Sequence, residues 1–271
     1  MNDSDNNHLE QDKPSVAQQT EGVEEKPRSR GIYLLPNLFT TAGLFAGFYS
    51  IVAAINDRFE AAAVTIFIAM VLDGIDGRVA RMTHTQTNFG AEYDSLVDMV
   101  AFGLAPALVV YLWCLQSLGK VGWLVAFIYA ACAALRLARF NTQNGSAEKR
   151  FFKGLASPSA AAIVAGFVWV STDYMTEPTK SISVIGLVLT LFAGLLMVSN
   201  ILFRSFKDFD VKSRVPFVAL LVVVLVFVLI SIDPPIVLFA GFLIYALSGP
   251  IGALFRRVNK SDNDSEPNPS A

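Results

Sequence analysis

Apolar residues run along this chain in long blocks separated by short polar turns. Leu34–Ile55, Met99–Leu118, Ser181–Phe203, Val215–Ile232 and Pro234–Phe255 contain no charged residue at all. Each is close to the roughly 20 residues that a helix needs to cross a bilayer. With the shorter blocks between them, the pattern predicts eight helical spans, at about 34–55, 61–82, 90–118, 121–140, 157–172, 182–203, 215–232 and 235–255. Three turns between them are tight: Asn56-Asp57-Arg58, Ser117-Leu118-Gly119-Lys120 and Asp233-Pro234-Pro235. The expected fold class is therefore all-α, a polytopic bundle in a membrane.

Charge tests that topology, because Lys and Arg accumulate in cytoplasmic loops. Eight spans put both termini on one side. Lys26, Arg28, Arg30, Arg78, Arg81, Arg136, Arg139, Lys149, Arg150, Lys153, Arg204, Lys207, Lys212, Arg214, Arg256, Arg257 and Lys260 then share that side, and only Arg58, Lys120 and Lys180 lie opposite. Both ends are accordingly expected in the cytoplasm, with the bacterial inner membrane as the expected location. Composition agrees: 54% of residues are hydrophobic and 16% charged, with a mean hydropathy of +0.50. The 21 basic and 23 acidic residues are too balanced and dispersed for a nucleic-acid binder. Cys114 and Cys132 fall inside apolar blocks, where thiols behave as small hydrophobes. Residues 1–30 and 258–271 are polar, and both are expected to be disordered tails around a domain at 31–257. The first tail lacks the basic start and apolar stretch of a secretory signal.

One stretch breaks the apolar rule. Asp73, Asp76, Gly77, Arg78 and Arg81 close the second span, and Gly90, Asp94 and Asp98 open the third. A charge at mid-helix costs about 2.5–3.5 kcal/mol on insertion scales, so four lipid-facing carboxylates are not sustainable without compensation. Spacings of three and four residues put each pair of acids on one helical face. If the two helices pack, all four carboxylates converge, while Gly77, Ala80 and Gly90 leave room beside them. Such acids repel one another unless cations sit among them. Oxygen-only ligation suits a hard ion such as Mg²⁺, and two ions are expected. The simpler alternative is structural ion pairing with Arg78 and Arg81, but the acids outnumber these arginines and the glycines would then serve nothing.

The pattern Asp73-x2-Asp76-Gly77-x2-Ala80-Arg81-x8-Gly90-x3-Asp94-x3-Asp98 resembles, without a substituted position, the signature of the CDP-alcohol phosphatidyltransferases. The resemblance implies that Asp73, Asp76 and Asp94 hold two divalent ions, Mg²⁺ or Mn²⁺, on the diphosphate of a CDP-linked lipid. It implies that Asp98 is the base toward an acceptor alcohol, and that CMP leaves. Gly77, Ala80 and Gly90 would give the cytidine room, and Arg81 would neutralise phosphate charge. Asn37, Thr40 and Thr41 in the first span are further candidates for holding the nucleotide, or else bond a neighbouring helix. His84 is read as a solvated loop residue. The resemblance also implies a homodimer, for which the seventh and eighth spans are available.

Two more segments concern the acceptor. Arg136-Leu137-Ala138-Arg139-Phe140-Asn141 and Phe152-Lys153-Gly154-Leu155-Ala156-Ser157-Pro158 resemble segments of the branch of this family that uses L-serine with CDP-diacylglycerol, although that branch usually has Pro where Ala156 stands. Arg136 and Arg139 share a face, where a guanidinium fork can bind carboxylate or phosphate, unless both simply anchor the helix at the interface. Asn141 and Ser157 complete the candidate acceptor or phosphate site. Ser157 and Pro158 equally suit the N-cap and first position of a helix. Glycerol 3-phosphate or inositol phosphate is the alternative acceptor, since Lys149, Arg150 and Lys153 add positive charge. From another class, intramembrane acids also mark cation or proton transporters, but those bind near the midplane in interrupted helices, whereas these acids lie toward the ends of their spans.

Overall fold

The structure is a computed structural model in which residues 31–83, 87–142, 151–204 and 217–263 are described. Residues 1–30 and 264–271 of the expected tails, and His84, lie outside the described residues.

The helices are α1 (Gly31–Ile55), α2 (Phe59–Thr83), α3 (Asn88–Asp98), α4 (Ala105–Trp113), α5 (Lys120–Thr142), α6 (Ser157–Tyr174), α7 (Lys180–Val198), α8 (Phe217–Ile232) and α9 (Pro234–Asn263). A π-helical segment, Met99–Leu104, joins α3 to α4 in one continuous rod. Among the described residues five stretches are long and apolar enough to cross a membrane: Asn37–Ile55, Asn88–Trp113, Lys120–Thr142, Lys180–Val198 and Pro234–Ala253. That fits a multi-pass membrane protein. The helix α2 would interrupt such a stretch with its acids and arginines, and α8 has only 16 residues.

The centre of the bundle is α6. Ala160, Ala161, Ala162, Ile163, Val164 and Ala165 are all buried, so this helix is apolar on every side and packs against α2, α4, α7 and α9. The most extensive pairing is that of α1 with α2. The turn at Asn56-Asp57-Arg58 reverses the chain with Asp57 at φ 58°, and Ser50 Oγ donates to Ala62 O across the pair at 2.7 Å. On its other side α1 lies against α3 and the π-helical segment. Gly47 is needed there, since a Cβ would sit 2.8 Å from Ala101 Cα; at Gly43 the nearest atom, Val97 Cγ1, would be an ordinary 3.6 Å away. Gly47 thus lets α1 settle on the rod that carries Asp94 and Asp98.

Differences from the expected spans have local causes. The span expected at 182–203 ends at Val198, and Leu202–Arg204 instead forms strand β2, paired antiparallel with β1 (Phe151–Lys153). Ser199 halts the helix by donating from Oγ to Leu196 O at 2.9 Å. The same carbonyl accepts Leu155 N at 3.0 Å. Gly154, at φ 85°, fits beneath because a Cβ would collide with Met197 O. At the far end α9 continues to Asn263, past the expected domain boundary at 257. Ser157 is also not the cap of α6: Ala156 takes the cap position in an extended conformation, and Ser157 is the first helical residue.

The π-helical segment follows from Pro106, which has no N–H and whose ring crowds the carbonyl four residues back, that of Phe102. The ladder slips to i→i+5, with Ala105 N–H bonded to Val100 O. Tyr129, fully buried on α5, donates its hydroxyl to Phe102 O at 3.1 Å. In a lipid-embedded core this carbonyl has no water to turn to. Tyr129→Phe is therefore expected to lower stability by about 1–2 kcal/mol, measured as a lower thermal midpoint in detergent; an unchanged midpoint would contradict this account of the segment.

Candidate active site

The acids converge. Asp73 and Asp76 come from α2 and Asp94 from α3, and one carboxylate oxygen of each lies within 4.8 Å of the others. Asp98, one turn beyond Asp94, lines the same hollow, together with Thr40 and Gly43 of α1 and Ala101 and Phe102 of the π-helical segment. Three structural facts assemble this group: the i,i+3 and i,i+4 spacings, the α1–α2 turn, and the close seat of α1 at Gly47.

Asp76 is 5% exposed and accepts a hydrogen bond from Thr40 Oγ1 at 2.9 Å. Structural ion pairing does not account for the cluster: among the described residues no Lys or Arg makes an ion pair with the four acids. Arg81 is exposed and donates from Nε to Gly77 O at 2.8 Å. One cation, Arg136 of α5, is near enough to attract Asp98 and Asp73. Two unit charges 4.8 Å apart repel by about 3 kcal/mol at an effective dielectric constant near 20. Among the described residues several such pairs face a single guanidinium, which leaves the described part of the site short of positive charge. An all-carboxylate donor set with that deficit suits hard divalent ions.

The nucleotide candidates border this hollow unevenly. Thr40 reaches Asp76 directly. Thr41 is exposed, donates to Asn37 O at 2.7 Å and shares a 3.0 Å hydrogen bond with Tyr93 OH. A Cβ at Gly90 would lie 3.6 Å from Asn37 Oδ1, so the starts of α1 and α3 meet there. Gly90 N–H is capped by Thr87 Oγ1 at 3.0 Å. Gly77 has open space where a Cβ would project, and so does Gly74. Ala80 is half-buried on the following turn.

The acceptor candidates divide. Arg136 donates from Nη1 to the fully buried Ser157 Oγ at 2.6 Å, and its guanidinium lies 5.8 Å from the Phe140 ring centroid. Asn141 exchanges hydrogen bonds with Ser95 at 3.1 and 3.2 Å, which ties the end of α5 to the helix carrying Asp94. Arg139 turns elsewhere: Nη2 donates to Asn200 Oδ1 at 2.7 Å, at the break after α7. The two arginines expected to act from one face therefore do different things.

Sequence reasoning overlooked Tyr93, Ser95 and Tyr129. The first two adjoin Asp94 and could have been suspected from that position. Tyr129 carried no signal, because its partner exists only once Pro106 has opened the helix.

Residues 33–246 match the sequence profile of the family described as CDP-alcohol phosphatidyltransferase. Among similar proteins, one from Helicobacter pylori strain 26695, named CDP-diacylglycerol--serine O-phosphatidyltransferase, is 36% identical over 230 residues, covering 84% of this chain and 94% of that protein. A protein of the same name from strain J99 is 38% identical over 198 residues, 73% of this chain and 83% of its own length. Another of that name from Bacillus subtilis strain 168 is 32% identical over 174 residues, covering 64% of this chain and 91% of the relative. With a profile match that runs from α1 into α9 and takes in all four acids, this chain belongs to the CDP-alcohol phosphatidyltransferase family.

Proposed function

We propose that this protein transfers the phosphatidyl group of CDP-diacylglycerol to the hydroxyl of L-serine, forming phosphatidylserine and releasing CMP. The observation that carries the reading is the meeting of four carboxylates from two helices in one hollow, with no ion pair to them among the described residues. Serine is supported by the names of the relatives and by a half-buried arginine beside the acids.

Asp73, Asp76 and Asp94 would hold two divalent ions, Mg²⁺ or Mn²⁺. When bound, such ions stabilise the charge that develops on a diphosphate as its terminal phosphoryl group is displaced. Thr40 keeps the Asp76 carboxylate oriented. The open backbone at Gly77, with Gly74, leaves a floor on which a nucleotide can lie, bordered by Ala80, Arg81, Gly90, Asn37 and Thr41. Asp98 takes the proton of the serine hydroxyl. The oxygen's electron pair then forms the new bond to phosphorus, and the bond to the CMP oxygen breaks. Arg136 meets the carboxylate of serine, with Ser157 fixing the guanidinium; Asn141 and Arg139 support the end of α5 around it. The acyl chains remain in lipid beside the helices while the head group reaches the acids.

Two outcomes test the acceptor and its site. The purified protein with CDP-diacylglycerol and Mg²⁺ or Mn²⁺ is expected to incorporate radiolabelled serine; incorporation of glycerol 3-phosphate or inositol phosphate instead would reject the serine reading. Arg136→Met is expected to raise KM for serine by about tenfold or more while KM for CDP-diacylglycerol changes little, consistent with loss of one charge-assisted hydrogen bond. Equal increases for both substrates would place Arg136 in the scaffold rather than at the acceptor.

The same reading puts the enzyme in the inner membrane as a homodimer, with both termini and the acids at the cytoplasmic face. The exposed apolar faces of α8 and α9 support contact with lipid or a second copy.

A further inference from the structure

Two neighbouring threonines of α1 face different helices. Successive residues of a helix are turned by about 100° from one another, so Thr40 and Thr41 point apart. Thr40 Oγ1 donates to Asp76 Oδ2 of α2 at 2.9 Å, and Thr41 Oγ1 lies 3.0 Å from the hydroxyl of Tyr93, the residue before Asp94 on α3. Among the described residues α2 and α3 scarcely touch each other, whereas α1 packs against both. The separation of the Asp73–Asp76 pair from Asp94 is therefore set to a large extent through α1.

The direction of the second bond follows from counting protons. A threonine hydroxyl has one, and that of Thr41 goes to Asn37 O, a turn back on α1, at 2.7 Å. Thr41 Oγ1 is then the acceptor, and Tyr93 donates. The Tyr93 ring is itself held by Phe89, stacked on it at 6.0 Å between centroids and 12° between planes. Deeper along the same seam Gly43 faces Val97 and Gly47 faces Ala101. Those apolar contacts set how near α1 comes to the rod, while a directional hydrogen bond also fixes how the two are aligned.

We propose that Tyr93 is a positioning residue for the metal ions: through Thr41 its hydroxyl fixes α3 against α1, and so sets Asp94 against the Asp76 that Thr40 holds. The inference rests on the two-ion reading of the acids. Hard divalent ions take oxygen ligands at about 2.0–2.6 Å, and such ligands must be held to within about 0.5 Å. One oxygen of each of Asp73, Asp76 and Asp94 lies within 4.8 Å of the others, so a small drift of α3 is enough to part Asp94 from an ion shared with α2. Arg136 and Ser157 belong to α5 and α6 and stand outside this bracket.

Tyr93→Phe keeps the ring and deletes the hydroxyl, Thr41→Val deletes the acceptor at nearly the same size, and Thr41→Ser keeps it. The full chain in detergent is titrated with Mn²⁺ alone and followed by electron paramagnetic resonance, in which ions that share carboxylates give a coupled signal distinct from that of a lone ion. The parent is expected to show the coupled signal. Tyr93→Phe and Thr41→Val are each expected to need about fivefold more Mn²⁺ to reach it, the worth of roughly one neutral hydrogen bond. The double variant should need no more than either single one, because both remove the same interaction, and Thr41→Ser should match the parent. In turnover at limiting Mn²⁺ the single variants are expected to lose kcat with KM for serine unchanged, and excess Mn²⁺ is expected to restore them.

Parent-like Mn²⁺ dependence in Tyr93→Phe, or losses that add in the double variant, would overturn the proposal. A lower metal-free thermal midpoint with unchanged Mn²⁺ affinity would also overturn it, leaving the bond as a structural tie. A parent that shows no coupled signal would overturn the two-ion reading and this proposal with it, so the two failures are told apart by the parent. If Tyr93→Phe does not fold, Thr41→Val against Thr41→Ser decides by the same titration.

Discussion

Asp98→Asn is expected to lower kcat for phosphatidylserine formation by about 10²–10⁴-fold, the usual contribution of a positioned general base, with divalent-ion and CDP binding nearly intact. The substitution keeps the size of the side chain and removes its ability to accept the serine proton. Asp98 is on the wall of the hollow but is not one of the three acids whose oxygens lie within 4.8 Å of one another. It can thus be neutralised while the ligand set remains. The measurement is CMP release under saturating serine, alongside calorimetric titration of CDP in the presence of Mn²⁺. A variant that retains wild-type turnover would remove Asp98 from the reaction, and one that loses CDP binding along with turnover would make it a ligand. CMP release by the parent, lost in this variant while CDP binding stays, discriminates against a cation or proton carrier, which would release no CMP in either form.

Asp76→Asn should act differently on each measurement. Asp76 is buried and receives the Thr40 hydroxyl. The amide oxygen can still accept that hydrogen bond, so the packing of α1 on α2 should survive. What disappears is one charge and one ligand oxygen. Turnover and Mn²⁺-dependent CDP binding are both expected to fall below detection. Without metal, the variant is expected to be more stable than the parent, because each repulsion among acids at this separation is worth about 3 kcal/mol at an effective dielectric constant near 20. Adding Mn²⁺ should raise the thermal midpoint of the parent, as any ligand of the folded state does, and leave that of the variant unmoved. A metal-free variant less stable than the parent would mean that the acids are compensated within the protein, and the argument for bound ions would lose its basis.

The acids show why part of this site could be read without coordinates. Helical periodicity is local: once residues 73–76 and 94–98 are helical, each pair of carboxylates must share a face, and the cost of charge in lipid forces the faces toward each other. The turns at 56–58 and 117–120, and the end of the chain's apolar blocks, are equally local. Ser157 and Arg139 show the limit. Both were sensibly placed by local rules, one as a helix cap and the other beside Arg136. Ser157 instead meets an arginine 21 positions earlier, and Arg139 meets an asparagine 61 positions later. Neither partner can be inferred from neighbouring residues.

Sequence alone determined the apolar helical rods, the membrane setting, the convergence of Asp73, Asp76, Asp94 and Asp98, and the family, because each depends on composition or on spacing within one or two helices. Tertiary structure decided the seat of Gly47 on Ala101, the β1–β2 ribbon, the π-helical segment with its Tyr129 support, and the separate fates of Arg136 and Arg139. Those features depend on which backbone carbonyl or side chain arrives opposite another after the helices pack. In a medium with no water to satisfy a stray polar group, that arrival chooses the partner.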